Sequence, residues 1–300
     1  MGRLTALVLG SAAGGGFPQW NCNCPVCSLA WAGDPRVTPR SQAGIAVSPD
    51  GENWVLCNAS PDLRTQILKT RTLQPQRGLR HSPIKAVILT GAEIDQTAGL
   101  LTLRERQELA LYATPATFAA LADNSIFGAL HPDKVRRHAL SLGEKVEPVA
   151  GLTAELFTAP GKMPLYLEGE NPEIGESAVN VGVELTAGER RLLYIPGAAG
   201  VTPAMRERMR RADAVLFDGT LFTDDEMIVL QAGEKTGMRM GHMPIEGPGG
   251  SLAALGDVPV RRIFIHINNT NPVLIEGSRA RKRVVDAGFE VAFDGMEIVL

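Results

Sequence analysis

Three hundred residues are enough for one large hydrophobic core or two domains, and 44% hydrophobic with 21% charged residues is the balance of a globular chain. A formal net charge of −3 gives no electrostatic basis for binding nucleic acid or an anionic membrane surface. No apolar run reaches the roughly 18–20 residues of a spanning helix, so the expectation is a cytoplasmic protein with neither nucleic acid nor membrane as partner.

Leu4–Leu9 predicts a first strand that runs into the loop Ser11–Gly16, SAAGGG. The apolar stretch is shorter than the core of a signal peptide. The loop lacks the GxGxxG spacing of a dinucleotide site, although its glycines let backbone approach a ligand closely. Cys22, Cys24 and Cys27 then form CxCxxC. Three thiols so crowded in a reducing compartment point to a metal rather than to disulfides, and zinc with a closed thiolate shell is the natural occupant. Cys57, in WVLCNAS, reads as packed inside a strand. The fourth ligand is therefore expected from a distant histidine.

Ala43–Ser48 and Trp54–Asn58 flank Pro49-Asp50-Gly51 as a β-hairpin. Ser60, Pro61 and Asp62 suit the start of a helix over Leu63–Leu68. The apolar run Val87–Leu89 predicts a buried strand that breaks at Thr90-Gly91 and places Glu93, Asp95 and Gln96 on the following turn. Carboxylates beyond a buried strand stand where α/β proteins hold ligands. A helix over Leu100–Gln107, a strand Leu109–Ala113 and a helix toward Leu121 follow; His131 and His138, in HPDKVRRHA, read as solvated.

Leu152–Thr158 is a further strand, ending at Lys162, which reads as a solvated lysine able to meet an anion. Strands are expected at Asn180–Leu185, Arg191–Ile195 and Ala214–Phe217, with a basic helix over Pro203–Arg211. Asp218 closes the third of these strands, His242 lies in MGHMP, and His266 lies at the end of a strand over Arg262–Ile267. A helix Glu276–Ala287 and a hairpin of Phe289–Phe293 with Glu297–Leu300 finish the chain. No linker divides it, so residues 1–300 are expected to form a single domain.

The segment VILTGAEIDQTAGLL resembles the strand-THxHxDHxxG-helix motif of the metallo-β-lactamase superfamily. Thr90, Asp95 and Gly99 match the motif, while Gly91, Glu93 and Gln96 stand where its three histidines belong. SAAGGGFPQWNCNCPVC, LRHSPI, LLTLRE, YATP, LFDGT, MGHMPI and IHINNTNP resemble, over nearly the whole chain, the family of coenzyme PQQ (pyrroloquinoline quinone) synthesis B proteins. The resemblance implies an αββα sandwich of the α/β class and a structural zinc on Cys22, Cys24 and Cys27. The fourth ligand of that zinc would come from near the last histidine motif, where His266 and Asn269 stand; His266 can serve either the zinc or the active site.

It also implies work on a small Glu–Tyr-derived PQQ precursor, with other pathway proteins as partners. Glu93, Asp95, Gln96, Asp218 and His242 are the active-site metal candidates, and Glu93, Asp95, Asp218 and His242 the catalytic ones. Carboxylates with one or two imidazoles suit non-haem iron, with Glu93 as ligand or general base. Oxidation of the precursor's tyrosine ring is the leading expectation. Alternatives are a carrier of PQQ or its precursor and a metal-dependent hydrolase.

Overall fold

The computed structural model describes residues 3–167 and 174–300. Six strands build most of a first sheet: β1 (Thr5–Gly10), β2 (Gly44–Ser48), β3 (Trp54–Cys57), β4 (Ile84–Ile88), β5 (Leu109–Ala113) and β6 (Val135–Ala139). Seven follow in a second: β7 (Lys145–Val149), β8 (Leu152–Thr158), β9 (Val181–Ala187), β10 (Arg190–Ile195), β11 (Ala214–Asp218), β12 (Arg261–Ile265) and β13 (Phe289–Val291). The last strand, β14 (Glu297–Val299), returns to the first sheet. The strand orders are β14-β1-β2-β3-β4-β5-β6 and β13-β12-β11-β10-β9-β8-β7.

The central strands are buried on both faces, which is why they read as continuous apolar runs. In β11, Ala214 and Leu216 point into the core between the sheets, while Val215 and Phe217 point to the outer layer. In β4, Ala86 and Ile88 share that inner core, and Val87 faces the opposite layer with Leu111 and Leu121. Helices cover the outer faces: α1 (Pro25–Trp31), α2 (Leu63–Lys69), α3 (Ile94–Thr97), α4 (Pro115–Ala122), α5 (Pro203–Arg210), α6 (Glu226–Val229), α7 (Ser251–Ala254) and α8 (Arg279–Asp286). The result is the expected four-layer αββα sandwich. Among the described residues no helix is long and apolar enough to cross a membrane.

Three local expectations are corrected. The helix sought over Leu100–Gln107 comes earlier, as the single turn α3 followed by a 3₁₀ segment at Ala98–Leu103. HPDKVRRHA is not a plain solvated stretch, because Val135–Ala139 is the edge strand β6 and His138 stacks on Tyr112 at 4.9 Å. The terminal strands form no hairpin: β13 runs parallel to β12, and β14 runs antiparallel to β1 in the other sheet. Asp294, between them, accepts from the backbone and hydroxyl groups of both Ser11 and Ser41, which anchors the connection across the sandwich edge.

Within each sheet the parallel strands are β3-β4-β5-β6 and β10-β11-β12-β13. β11 ends on Asp218, and the ends of β4 and β12 lead into the segments that carry Asp95 and His266, so the topology gathers these side chains at one edge of the sandwich.

Candidate metal centre and pocket

β4 ends and Thr90 is pinned by Asn58, whose Oδ1 accepts the Thr90 amide at 2.9 Å while its Nδ2 donates to Thr90 Oγ1 at 2.8 Å. This clamp fixes the start of the turn that opens α3. Asp95 sits in the first turn of α3, nearly buried, with Oδ2 2.9 Å from His266 Nε2. His266 lies one residue past β12 with φ at 59°, a left-handed conformation uncommon outside glycine. That backbone kink turns its ring toward Asp95.

Asp218 ends β11 and is fully buried. Oδ1 accepts from the Thr220 amide at 2.9 Å and hydroxyl at 2.6 Å, while Oδ2 accepts from the Ala198 amide at 2.8 Å and pairs with His242 Nδ1 at 2.6 Å. The His242 and His266 rings stack at 5.2 Å, and Thr220 Oγ1 lies 3.1 and 2.9 Å from their Nδ1 atoms. Ligand atoms of Asp218, His242 and His266 lie within 4.8 Å of one another.

Burial pushes the Asp95 carboxyl upward, but the hydrogen bond and charge of His266 outweigh it and hold it below the usual range. Burial acts on Asp218 in the same direction, and the charges of His242 and His266 again prevail. For His266, burial disfavours the cation, yet Asp95 and then Asp218 raise its pKa overall. Two carboxylates and two imidazoles gathered in this way fit an ion that takes oxygen and nitrogen ligands. With Nδ1 engaged by Asp218, His242 keeps Nε2 for an ion or a substrate.

Glu93 and Gln96 reach the same pocket differently. Glu93 caps α3 and lines the cavity without joining the Asp218–His242–His266 group. Gln96 folds back, its Oε1 accepting the Glu93 amide at 3.2 Å. A Cβ on Gly91 would stand 2.6 Å from that same oxygen. The amide thus occupies the room beside Gly91, so the two vacated histidine positions are mutually filled.

The cluster floors a cavity of about 570 Å³, walled by Ala92, Lys162, Asn180, Met227, Lys235 and Asn268 among others. Asn180 Nδ2 bridges Ala159 O and Gly197 O at 3.2 and 2.9 Å, tying two strand ends together beneath the wall.

Cys22, Cys24 and Cys27 converge at the start of α1, their sulfurs within 4.8 Å of one another. His266, expected at either the zinc or the active site, does not join them and groups instead with Asp218 and His242. The fourth side is taken by Asn269, whose Nδ2 lies 3.1 Å from Cys22 Sγ and 3.3 Å from Cys27 Sγ. Burial pushes the Cys27 thiol up to about 12, so it ionises only where a cation compensates. Three sulfurs around one point fit zinc.

Of the two further residues in these centres, Thr220 is passed over by residue-by-residue reading, and Asn269 enters only through the family resemblance. A Thr two places after a strand-end Asp, as in FDGT, is the signal for the first; no spacing signals an amide among thiols.

The Beta-lactamase superfamily domain matches residues 53–267, a span that holds Asp95, Asp218, His242 and His266 but begins after Cys22, Cys24 and Cys27. Coenzyme PQQ synthesis protein B of Methylobacterium nodulans is 56% identical, covering 99% of this chain and 100% of its own length. The same protein of another Methylobacterium species is 54% identical at 99% and 100% coverage. The crystal structure of Zn2+-bound PqqB from Methylobacterium extorquens superposes with a TM-score of 0.96 at 54% identity, covering 98% of this chain and 99% of its own. The chain belongs to the coenzyme PQQ synthesis protein B family. Within the PqqB fold, the cysteine group and the Asp/His group are thus two separate places able to hold a cation, joined by the loop from His266 to Asn269.

Proposed function

We propose that this PqqB-family chain acts in PQQ synthesis by oxidising the tyrosine ring of a Glu–Tyr-derived precursor at the Asp/His cluster. The observation that supports this is the convergence of Asp95, His242 and His266 on the floor of a 570 Å³ cavity, with Asp218 fully buried behind His242, the cavity being large enough for a small aromatic substrate. These four residues would hold one ion, and iron held there would supply dioxygen activation. The chain's own contribution is orientation. Asp218 fixes His242, Asp95 fixes His266, and Thr220 bridges both pairs.

Glu93, on the wall beside Asp95, is the base that takes the phenol proton as the ring enters. In the balanced reaction a ring C–H becomes C–OH, one oxygen atom of O₂ enters the ring and the other leaves as water. Two electrons and two protons come from an external reductant of the ascorbate class. The cysteine group with Asn269 is the structural zinc site.

A carrier reading draws on a different observation: both oxygens of Asp218 are fully hydrogen-bonded by protein alone. The hydrolase reading loses support, since the amide of Gln96 and Gly91 fill the places of two motif histidines. The deciding experiment uses the full chain purified without air, loaded with iron and given oxygen, reductant and a crosslinked Glu–Tyr substrate. Hydroxylated ring product by mass spectrometry, lost in Asp95→Ala with Asp218→Ala, is expected. Full turnover in that double variant would overturn the assignment; tight precursor binding without turnover would favour the carrier.

A further inference from the structure

One wall of the cavity carries a hydrogen-bond acceptor that the protein itself does not use. Asn180 lines the cavity from the position just ahead of β9. Its Nδ2 commits both protons, to Ala159 O at 3.2 Å and to Gly197 O at 2.9 Å. Turning the amide over would set Oδ1 against the same two carbonyl oxygens, so its orientation is fixed. Among the described residues no group donates to Oδ1.

The backbone around Asn180 is equally constrained. Ala159 N donates to Asn180 O at 3.4 Å, and Val181 N to Thr90 O at 2.9 Å. Two glycines make room for the side chain. A Cβ on Gly161 would stand 2.3 Å from Asn180 Nδ2 and 2.7 Å from its Cγ, which only loss of the amide's bonds would relieve. A Cβ on Gly197 would stand 3.5 Å from Asn180 Oδ1 and 3.5 Å from His242 Cε1. Neither glycine has a positive φ, so the backbone does not demand glycine at either position. Gly161 seats the amide, and Gly197 leaves open the gap that Oδ1 and the His242 ring border.

A carbonyl oxygen held this way takes its donor from the ligand. Which donor follows from the reading of the cavity as the site of a Glu–Tyr-derived substrate, on which this inference rests. The carboxylates of such a molecule are ionised and have no proton to give, and its phenol proton goes to Glu93. Its amino groups remain. We propose that Asn180 Oδ1 accepts from an amino group of the substrate, a contact that anchors the molecule at the wall and leaves its ring to face His242 and His266. Asn180 is then a binding and specificity determinant, with no part in the oxidation itself. A protonated amine suits the position, because Glu93 and Asp95 also line the cavity and attract a cation. The neutral carbonyl adds direction to that attraction, since a hydrogen bond weakens steeply away from linearity.

The test is isothermal titration of the full chain, loaded with redox-inert zinc, with the crosslinked Glu–Tyr compound and with derivatives trimethylated at one amino group or the other. Trimethylation keeps the positive charge and removes every N–H. One derivative is expected to bind at least about tenfold more weakly than the parent compound, the scale of a hydrogen bond to a charged group. Asn180→Leu should cost the parent compound about tenfold and leave that derivative unchanged. Loss of the ties to Ala159 and Gly197 alone would weaken the parent compound and both derivatives alike. Gly197→Ala keeps those ties and covers Oδ1 with a methyl group at ordinary contact distance. It should reproduce the leucine result, and it carries the test if circular dichroism shows Asn180→Leu unfolded. Equal losses for the parent compound and both derivatives in the folded variants would overturn the assignment. Coupling in binding without ring oxidation by the iron-loaded chain would keep the acceptor and remove the oxidation reading; ring oxidation without coupling would remove the acceptor alone.

Discussion

The hydroxyl of Thr220 has one proton and four neighbours: Asp218 Oδ1 at 2.6 Å, His266 Nδ1 at 2.9 Å, His266 O at 3.0 Å and His242 Nδ1 at 3.1 Å. The shortest contact takes the proton, since a carboxylate is the strongest acceptor of the four. The oxygen then accepts from an imidazole, so one small side chain sets both ring orientations. Thr220→Val keeps the shape and removes these bonds. Zinc affinity at the Asp/His cluster, measured by chelator competition, should fall roughly 10–100-fold, as when other outer partners of metal ligands are lost. Thr220→Ser should stay near the parent; a valine variant with unchanged affinity would deny Thr220 this role. Asp95 and Asp218 are legible because each stands at or beyond the end of an apolar strand, and His242 because it opens a loop in MGHMP. His266 was legible as a site residue but not as to which site, because the deciding feature is its backbone kink at φ 59°. Gln96 read as a histidine's replacement, whereas its amide braces the Glu93 backbone.

At the scale of elements, α3 is held against the loop after β3 by paired backbone bonds: Ala59 N to Gln96 O at 2.7 Å and Gly99 N to Ala59 O at 2.8 Å. The approach is so close that a Cβ on Gly99 would stand 2.1 Å from Ser60 O and 2.8 Å from Ala59 O. Both obstacles are backbone, so no rotamer change relieves them. Gly99→Ala is expected to cost about 3 kcal/mol, from overpacking with loss of these bonds, and to move the urea midpoint accordingly. An alanine variant as stable as the parent would mean the loop yields more readily than its bonds imply. The motif glycine is thus a packing requirement and reads correctly from sequence. Edge strands do not. VRRHA and KVEPV carry charge because their outer sides meet water, so hydrophobic pattern is silent there. The β13–β14 pair misleads for another reason, since a short connection favours a hairpin locally, whereas Asp294 and the two sheets decide the partners.

For the molecule as a whole, two devices join the sheet edges around the cavity. The first is the cysteine group, which ties the α1 segment to Asn269. Stripping zinc from it should lower Tm by roughly 5 °C or more, read by calorimetry with Cys24→Ser as the control that no longer responds. The second is Glu226, on α6 beside the cavity wall and only 6% exposed, which accepts from Thr270 Oγ1 at 2.5 Å and from the Phe222 amide at 2.7 Å. Burial is the larger influence and pushes its carboxyl up to about 7, against an ordinary 4.5. A folded-state pKa above the unfolded one means the native state holds the extra proton. Stability is therefore full below about pH 4.5 as far as this group is concerned, and it declines as pH rises toward 7. The loss at pH 8 is on the order of 3 kcal/mol. Glu226→Gln keeps an acceptor for the Phe222 amide, turns its NH2 toward the Thr270 hydroxyl, which can accept, and has no charge to bury. Its urea stability should exceed that of the parent at pH 8 and converge with it near pH 5. Parallel stability curves for the two proteins across that range would show that Glu226 does not titrate between them.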